Sequence, residues 1–470
     1  MDLREFIVKV KELGELKEIE GANWDLEIGA ITYLEAEKPN PPAILFDKIQ
    51  GYKPGYRLLV SPCSTEKRVN LVLGLPLDLK GLELVKNIKN KLNEPIRLIS
   101  PMYIKQSPIM QNILQGNEVD LFMFPAPKWQ ALDGGRYIGT GDTVIMKDPD
   151  EDWVNIGTHR IQIHDKSTAT IFIEPGKHAD IIRNKYWSKG QSCPVAVTLG
   201  GDPFGVAIGG TRIPWGMSEY DYMGWWRKKP VEVISGPITG LPIPAEAEIA
   251  LEGELLPPEV ESRMEGPFAE WTGHYTQAKP ESAFKVKSIL HRDNPIVLAQ
   301  LPFLGPGIPT GFTYLLAAAQ LWNHLENLVP GVKGVWVHLV FGGVHAFAIS
   351  IEQKYGGHAK QVALAALGQH SYLRKFIIIV DDDVDPSNLR EVLFAIGIRS
   401  NPESWDIVRE CWDGKLDPLL SPQKRQMGDI THSAVMILAC KPYYWIKDFP
   451  PAVKTAPELI RKVKGKWPDL

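Results

Sequence analysis

Three residues of different chemical types lie close together between Trp153 and His178. Asn155, Arg160 and His178 carry an amide, a guanidinium and an imidazole. Alternating hydrophobicity predicts one β-strand over Trp153 to His164, followed by a turn, a second strand and a helix that begins at His178. These elements would bring the three side chains into one small region. An amide oxygen, a guanidinium and an imidazole together suit a metal ion that lies beside an anion.

Glu219 could add a carboxylate to Asn155 and His178. This set of oxygen and nitrogen donors suits Mn²⁺ or Mg²⁺ better than a structural zinc ion. The alternative is that His178 is only a structural hydrogen-bonding residue at the start of a helix.

The segment MEGPFAEWTGHY contains two carboxylates, Glu265 and Glu270, on either side of a Gly-Pro turn. A carboxyl group beside Phe268 and Trp271 would lose hydration, which raises its pKa toward the range useful for acid–base catalysis. Arg160 would keep one of the two carboxylates ionised, so the pair could differ in protonation. The alternative is a pair of solvated loop glutamates.

Two further segments have residue types that suit phosphate chemistry. In YGGHAKQVALAALG, Lys360 and the free amides of a helix start could bind a phosphate, although the segment lacks the P-loop pattern. The alternative there is a glycine-rich turn with a surface lysine. The acids of Asp381–Asp385 follow a predicted strand and could hold Mg²⁺ for phosphoryl chemistry, or they could be solvated, helix-capping residues.

The composition indicates a globular protein and excludes several classes of partner. A chain of 470 residues is long enough for two or three domains, with 44% hydrophobic and 23% charged residues. The net charge of −4 argues against nucleic acid as a partner. The four cysteines are far apart, which predicts buried thiols rather than disulfides or a zinc site. With no signal-peptide pattern and no apolar run of about 18 residues, we expect a cytoplasmic protein without a membrane partner.

The periodicity divides the chain into three units. The first mixes helices and strands, and a Pro- and Gly-rich segment from about Pro101 to Gly135 reads as a linker. Residues from about 120 to 300 are dominated by strands, which predicts an antiparallel barrel or sandwich. From Gly311 a helix, a hairpin, a second helix and a buried strand predict an α/β unit.

The order of these segments resembles the UbiD family of prenylated-flavin-dependent reversible decarboxylases. The resemblance extends from the N-terminal helix to about Pro442. It rests on Asn155, Arg160 and His178 at their spacing, and on these motifs: DGGRYIGTGDTVI, PVAVTLGGDP, AEIALEGEL followed by EGPFAEWTGHY, GGHAKQVALAALG, and IIIVDDDVDPSNLREV.

The resemblance implies a multidomain fold of the α+β and α/β classes around a central split β-barrel related to flavin reductases. It implies an N-terminal αβ domain at 1–115 and a prenylated-FMN-binding split barrel at 116–305. It also implies an α/β oligomerisation domain at 306–440 and a C-terminal helical tail at 441–470.

The resemblance also assigns roles to residues. Asn155, His178 and Glu219 would hold Mn²⁺ or another divalent ion, which with K⁺ binds the phosphate of the cofactor. The catalytic residues would be Arg160, Glu265 and Glu270. The residues that contact the cofactor would be Asn155, Ile156, Arg160, Lys177, His178, Glu219 and Lys360.

The implied reaction is the reversible, non-oxidative decarboxylation of an aromatic, heteroaromatic or α,β-unsaturated acid through a covalent adduct with prenylated FMN. Glu270 would donate the proton, or accept it in carboxylation. The apolar segment that includes Phe303, Leu304, Ile308 and Phe312 would line the substrate pocket, which favours a flat aromatic or heteroaromatic acid.

The partners implied are the acid and CO₂, a flavin prenyltransferase that supplies the cofactor, and further copies of this chain in a homodimer or homohexamer. One alternative is a non-catalytic or accessory subunit of a UbiD-type carboxylase, against which the intact catalytic residues argue. Another is a metal-dependent phosphotransferase or hydrolase that uses Asp381–Asp385. The resemblance disfavours this alternative, because it makes the acidic run structural.

Overall fold

The computed structural model describes residues 1–211, 213–305, 308–309, 311–343, 345–369, 374–412, 414, 416–453 and 455–467. They have the mixed α/β, multidomain organisation that the sequence predicts. The α-helices are Leu3–Glu12 (α1), Glu27–Ala36 (α2), Glu66–Leu73 (α3), Gly81–Leu92 (α4), His178–Ser188 (α5), Pro203–Gly209 (α6), Glu219–Arg227 (α7), Thr313–Leu328 (α8), His358–Gly368 (α9), Leu389–Arg399 (α10), Pro422–Met427 (α11) and Pro457–Lys466 (α12).

The strands form four sheets. They are Leu16–Glu20 (β1), Ala43–Asp47 (β2), Arg57–Val60 (β3), Met102–Tyr103 (β4), Asn112–Gln115 (β5), Arg136–Gly139 (β6), Asp142–Lys147 (β7), Val154–Gly157 (β8), Ile161–Ile163 (β9), Thr168–Ile171 (β10), Cys193–Leu199 (β11), Glu232–Ser235 (β12), Pro242–Pro244 (β13), Ile249–Leu255 (β14), Ser262–Glu265 (β15), Lys279–His291 (β16), Ile296–Ala299 (β17), Val332–Val337 (β18), Ala346–Ile351 (β19), Phe376–Asp381 (β20), Asp406–Trp412 (β21) and Thr431–Ala439 (β22).

The N-terminal sheet has the order β1-β2-β3-β17. Helix α1 buries the apolar stripe Leu3, Phe6, Ile7 and Val10, and the Asp2 side chain accepts a hydrogen bond from the Glu5 N–H at 2.7 Å. This helix and the strands β2 and β3 lie where the sequence predicts them. The sequence places β17 with the central strands, whereas in the structure it pairs in parallel with β3.

The central sheet is antiparallel and follows the order β6-β9-β10-β16-β14-β11-β7-β8, with β5 and β15 also paired to β16. Within the described residues its end strands, β6 and β8, do not pair with each other, so the barrel is not closed. The prediction of one continuous strand over Trp153 to His164 is wrong. The chain forms β8, breaks at Thr158–Arg160 and continues as β9.

This break positions the site. Strand β8 is at one end of the central sheet, and β9 is the second strand from the other end. Four peptide units between Gly157 and Ile161 span at most about 14 Å. The sheet must therefore curl until its two ends approach each other. Asn155 on β8 and Arg160 just before β9 consequently belong to opposite ends of the sheet and still face one region.

Two smaller differences concern strand pairing. The segment predicted as a linker contributes β4 and β5, and β5 pairs with β16. The predicted strand β12 leaves the central sheet and pairs with β13 and β4. Sequence periodicity predicts strands but does not identify their partners.

The C-terminal sheet has the order β18-β19-β20-β22-β21. The predicted hairpin of β18 and β19, the helix α9 and the buried strand β20 are all confirmed. All four cysteines are free thiols, as predicted, and three of them are buried. Among the described helices, none has the length and apolarity that a membrane crossing requires.

Candidate active site

A cavity of about 690 Å³ lies where the two ends of the central sheet approach each other. It is lined by β8 and the segment that follows it, by the start of α5 and by the loop that follows β15. Of the residues predicted to form a site, it brings together Asn155, Ile156, Arg160, Lys177, His178, Glu219 and Glu270. These residues come from positions up to 115 apart in the sequence, so the fold collects them into one place.

The three residues predicted to bind a metal ion all line the cavity. Asn155 lies on β8, His178 is the first residue of α5, and Glu219 is the first residue of α7. The Ser218 side chain caps α7 by accepting a hydrogen bond from the Tyr220 N–H. Two helix starts and one strand therefore fix the three side chains toward a common cavity.

Glu219 is almost completely buried, and one of its oxygens accepts a hydrogen bond from the Ile156 N–H at 2.7 Å. Burial raises the pKa of Glu219 to about 8, because its few hydrogen bonds only partly offset the lost hydration. The buried amide nitrogen of Asn155 has no hydrogen-bond partner within the described residues. A bound cation would compensate the buried carboxylate, and the amide oxygen of Asn155 is a suitable second donor.

His178 is held by aromatic rings. Its imidazole packs edge-on against Trp153 at 5.7 Å and against Trp215 at 5.2 Å between ring centroids. Burial, assisted by the charge of Lys177, lowers the pKa of His178. This favours the neutral imidazole that a metal ligand must be. Among the described residues no group of three or more His, Cys, Asp or Glu side chains is arranged to hold a metal ion, so a metal here depends on the Asn155 amide.

A second group consists of Glu265, Arg160 and Glu270, which we call the Arg160 triad. Arg160 and Glu270 line the cavity, and Glu265 does not. Arg160 donates from Nε and Nη2 to the two oxygens of Glu265 at 2.7 and 2.8 Å. Its Nη1 makes an ion pair with Glu270. The guanidinium also lies 3.9 Å from the ring centroid of Phe172. The arginine is thus fixed in a plane between two carboxylates.

The two glutamates differ in environment, as the sequence predicts. Glu265 is fully buried behind Arg160, whereas the side chain of Glu270 is 12% exposed and faces the cavity. Burial raises the pKa of Glu270 above its ordinary value, and the neighbouring Arg160 offsets this only in part. Glu270 is therefore the carboxyl that is placed to exchange a proton with a ligand.

Three residues that sequence reasoning did not select support Glu265 and Arg160. The Tyr137 hydroxyl lies 3.2 Å from both Gln162 Oε1 and Glu265 Oε1. Gln162 Oε1 also accepts a hydrogen bond from the Gly266 N–H at 2.9 Å. Thr276 Oγ1 accepts from Arg160 Nη2 at 3.3 Å. Gln162 could have been identified, because strand alternation places it on the same side as Arg160.

Lys360 does not belong to this cavity. It lies on α9 in the C-terminal unit, where its side chain is 40% exposed and makes an ion pair with Asp406. Lys360 is absent from the lining of this cavity, and its binding to the cofactor phosphate stays a prediction. A helix start with a lysine was recognised in the sequence, but the position of that helix relative to the cavity depends on packing that the sequence does not show.

The acids at the end of β20 form a second charged group, which we call the Arg399 cluster: Asp381, Asp383, Arg399 and Lys441. Arg399 donates to Asp381 at 3.2 Å and to Asp383 at 2.7 and 3.0 Å. Lys441 donates to Asp383 from its Nζ at 2.8 Å and to Asp381 from its backbone N–H at 2.7 Å. The carboxylates are compensated by protein donors, which favours the structural interpretation over a magnesium site.

A second cavity of about 780 Å³ adjoins the first. The residues that line both are Thr140, Thr158, Lys177, Gly210, Thr211, Trp271 and Pro302. Phe303, Leu304, Ile308 and Phe312, which the sequence analysis placed in a substrate pocket, all line this second cavity. Trp271 directly follows Glu270, so the acid lies near the junction of the two cavities.

Comparison with known families covers nearly the whole chain. The N-terminal domain, the Rift-related domain and the C-terminal domain of the 3-octaprenyl-4-hydroxybenzoate carboxy-lyase family, UbiD, match residues 7–88, 102–303 and 311–439. A pyrrole-2-carboxylic acid decarboxylase of Pseudomonas aeruginosa is 30% identical over 424 residues, which cover 86% of this chain and 84% of that protein. A phenolic acid decarboxylase of Sedimentibacter hydroxybenzoicus is 30% identical over 441 residues, 90% of this chain and 88% of that protein.

Solved structures of UbiD-class enzymes have the same fold as this chain. The vanillic acid decarboxylase of Sedimentibacter hydroxybenzoicus in its closed form has a TM-score of 0.81 and 27% identity, over 99% of this chain and 98% of that one. A UbiD-class enzyme from Pelotomaculum thermopropionicum in complex with FMN shares the fold, with a TM-score of 0.85 at 23% identity over 99% of this chain and all of that one. The family domains, the relatives and the fold together show that this chain belongs to the UbiD family.

Proposed function

We propose that this protein catalyses the reversible decarboxylation of an aromatic or heteroaromatic carboxylic acid with prenylated FMN as cofactor. The observation that carries the proposal is one cavity that is lined both by the metal-type donors and by Arg160 and Glu270 of the triad. An anion-binding metal site beside an arginine and a buried carboxylic acid provides what a flavin-dependent decarboxylase needs: a place for a phosphate, a place for a carboxylate and a proton.

The cavity residues fit the cofactor. Asn155, His178 and Glu219 would hold Mn²⁺, whose charge compensates both the buried Glu219 and the cofactor phosphate. Lys177 lines the same cavity and adds a positive charge. Helix α6 approaches β8 closely at Gly209, where a Cβ would lie 3.0 Å from Thr158 Oγ1, so the wall of the cavity is tightly packed here. The chemistry that prenylated FMN supplies when bound is an electron sink for the electrons left when CO₂ departs.

Arg160 would orient the substrate carboxylate. Among the described residues four of its five N–H groups already donate, to Glu265, Glu270 and Thr276. One N–H at Nη1 remains to bind the carboxylate, and the fixed guanidinium plane sets its direction. Because Glu265 is held on the other side of Arg160, the guanidinium cannot rotate without breaking two hydrogen bonds.

Glu270 would deliver the proton. Its raised pKa favours the carboxylic acid, and its place near the junction of the two cavities lets it reach the carbon from which CO₂ leaves. In the reverse direction the same group, as a carboxylate, would remove that proton. Glu265 would act through Arg160 as a positioning residue.

The substrate would enter the second cavity, whose lining is mainly apolar and aromatic. The decarboxylases to which this chain is similar are named for pyrrole-2-carboxylic, phenolic and vanillic acids. A flat aromatic or heteroaromatic acid is therefore the substrate class that we propose. We also propose K⁺ beside the divalent ion, a flavin prenyltransferase as the source of the cofactor, and a homodimer or homohexamer built on the C-terminal unit.

The test is to produce the protein together with a flavin prenyltransferase and to determine its bound small molecules by mass spectrometry and its metal by elemental analysis. We expect prenylated FMN and manganese in equal amounts, and CO₂ release from a panel of aromatic acids that includes pyrrole-2-carboxylate and vanillate. A protein that binds neither flavin nor metal under these conditions would exclude the proposed cofactor.

A further inference from the structure

One carboxyl in the wall of the cofactor cavity has no role in the proposed reaction. Asp142 is the first residue of β7, and it is fully buried. It lines the 690 Å³ cavity that is also lined by the metal-type donors, Arg160 and Glu270, but it does not line the apolar second cavity. Neither of its carboxyl oxygens has a well-formed hydrogen bond within the described part of the chain, and the donors nearby are the backbone N–H groups of Asp142 itself and of His159. A buried polar group of this kind is costly unless a ligand completes its hydrogen bonds.

The surroundings of Asp142 favour its neutral form. Burial raises its pKa to about 8, and the nearby backbone N–H groups of Asp142 and His159 offset this only in part. No charged side chain of the described residues contributes to this pKa. A neutral carboxyl group has one O–H donor and one carbonyl acceptor side by side. Its complement is a planar group that presents an acceptor next to an N–H.

Within the proposed function, the ring system of the cofactor has such a group. The pyrimidine ring of a flavin has an imide edge, with an N3–H between two carbonyl oxygens. A carboxylic acid and an imide edge can form a pair of hydrogen bonds, one in each direction. Asp142 does not line the second cavity, which is the one proposed for the substrate.

We propose that Asp142 binds the imide edge of the flavin as a protonated acid, donating to a ring carbonyl and accepting from N3–H. This inference rests on the proposed cofactor and adds to it a recognition residue for the flavin ring. Asp142 takes part in no proton transfer of the reaction. Its contribution is to the affinity and the orientation of the ring.

The test uses FMN and its N3-methyl derivative as probes, because methylation removes the N3–H and leaves the phosphate unchanged. Dissociation constants are measured by quenching of flavin fluorescence in the presence of Mn²⁺, for the unsubstituted protein and the variants D142A and D142N. The unsubstituted protein should bind FMN about tenfold more tightly than N3-methyl-FMN, which is the effect of losing one to two hydrogen bonds.

The two variants should differ in their affinity for the two flavins. D142A should bind FMN about tenfold more weakly and should no longer distinguish the two flavins. The amide of D142N also has a donor and an acceptor side by side. Its dissociation constant for FMN should stay within about threefold of that of the unsubstituted protein, and it should still prefer FMN to N3-methyl-FMN. The visible absorption spectrum of bound FMN should shift in D142A and not in D142N.

Each outcome decides between the two proposals. If the unsubstituted protein does not distinguish the two flavins, or if D142A distinguishes them equally well, Asp142 does not bind the imide edge, while flavin binding itself stands. If the unsubstituted protein binds no FMN in the presence of Mn²⁺, the proposed function fails as well. If circular dichroism shows that D142A does not fold, the preference of the unsubstituted protein and of D142N for FMN over N3-methyl-FMN still decides whether Asp142 binds the imide edge.

Discussion

The Arg160 triad and the Arg399 cluster have the same components in different settings. In each, one arginine pairs with two carboxylates, and in each the sequence places acids where a catalytic site is plausible. The Arg160 triad borders a cavity, and its Glu270 faces that cavity. The carboxylates of the Arg399 cluster are bound by protein donors, and they line neither of the two cavities described above.

The difference appears in the proton affinities. Burial raises the pKa of Glu270, and a single arginine offsets it only in part. Burial also acts on Asp383, but hydrogen bonds from Arg399 and Lys441 more than offset it and hold its pKa at about 2. A carboxylate with several charged donors is a structural group, whereas one that is left short of donors beside a cavity can exchange a proton.

The largest effect should come from removing the acid of Glu270. Glu270→Gln keeps the shape and the contact to Arg160 but has no proton to give, so turnover should fall about 10²- to 10⁴-fold. Flavin and manganese contents, measured on the same sample, should stay unchanged. Asp383→Asn is the matched control, and its turnover should remain within twofold of the parent protein. Normal turnover in Glu270→Gln would refute the role of this residue.

The next effect concerns stability. Arg160→Ala leaves the fully buried Glu265 without its partner, which should lower the free energy of unfolding by about 3–5 kcal/mol. Arg399→Ala leaves Asp381 and Asp383 with their donors from Lys441, so about 1.5–3 kcal/mol is expected. Urea unfolding followed by tryptophan fluorescence measures both.

Turnover separates the two arginine variants further. Arg160→Ala should be inactive, while the folded fraction of Arg399→Ala should keep its activity per folded molecule. Equal loss of activity in both variants would mean that the Arg399 cluster also acts on the active site.

Arg263 lies on the same strand as Glu265 and makes a more exposed ion pair with Glu261. Arg263→Ala should therefore lower the free energy of unfolding by less than about 1 kcal/mol.

Much of this site could be predicted from the sequence, because its residue types and spacings are local. Asn155, Arg160 and His178 lie within one supersecondary segment, and Glu265 and Glu270 within one turn. The sequence predicts that the two glutamates could differ in protonation, but not which of them is buried and which faces the cavity. The helices α1, α5 and α9 followed from periodicity.

Other features depend on long-range pairing and could not be predicted. The alternating pattern continues through Thr158–Arg160, although the strand breaks there and its halves join opposite ends of the sheet. Lys360 fits a local pattern for phosphate binding, yet its helix packs elsewhere. Asp142 was missed because a polar segment, GTGDT, gives no sign that its carboxyl is fully buried.

A smaller effect than the two above is expected in the pH dependence. A raised pKa keeps Glu270 protonated to a higher pH than an ordinary glutamate, so decarboxylation should be fully active below that pKa and should fall as the pH rises through it. The rate should fall tenfold per pH unit above it. A profile of kcat/KM against pH, with Asp383→Asn as the control of unchanged profile, measures this. A rate that rises with pH across the same range would show that Glu270 acts only as a base.

The smallest effect should come from Lys360, the predicted phosphate-binding residue that does not line the cofactor cavity. Lys360 pairs with Asp406 at the surface, so Lys360→Ala should change the affinity for FMN in the presence of Mn²⁺ by less than about twofold. Lys177 lines the cavity, so Lys177→Ala should weaken the same affinity about tenfold through the loss of a charge near the phosphate. Fluorescence titration of both variants in parallel compares a lysine in the cavity with one outside it. If Lys360→Ala weakens binding as much as Lys177→Ala does, then α9 contributes to the phosphate site in the assembled protein.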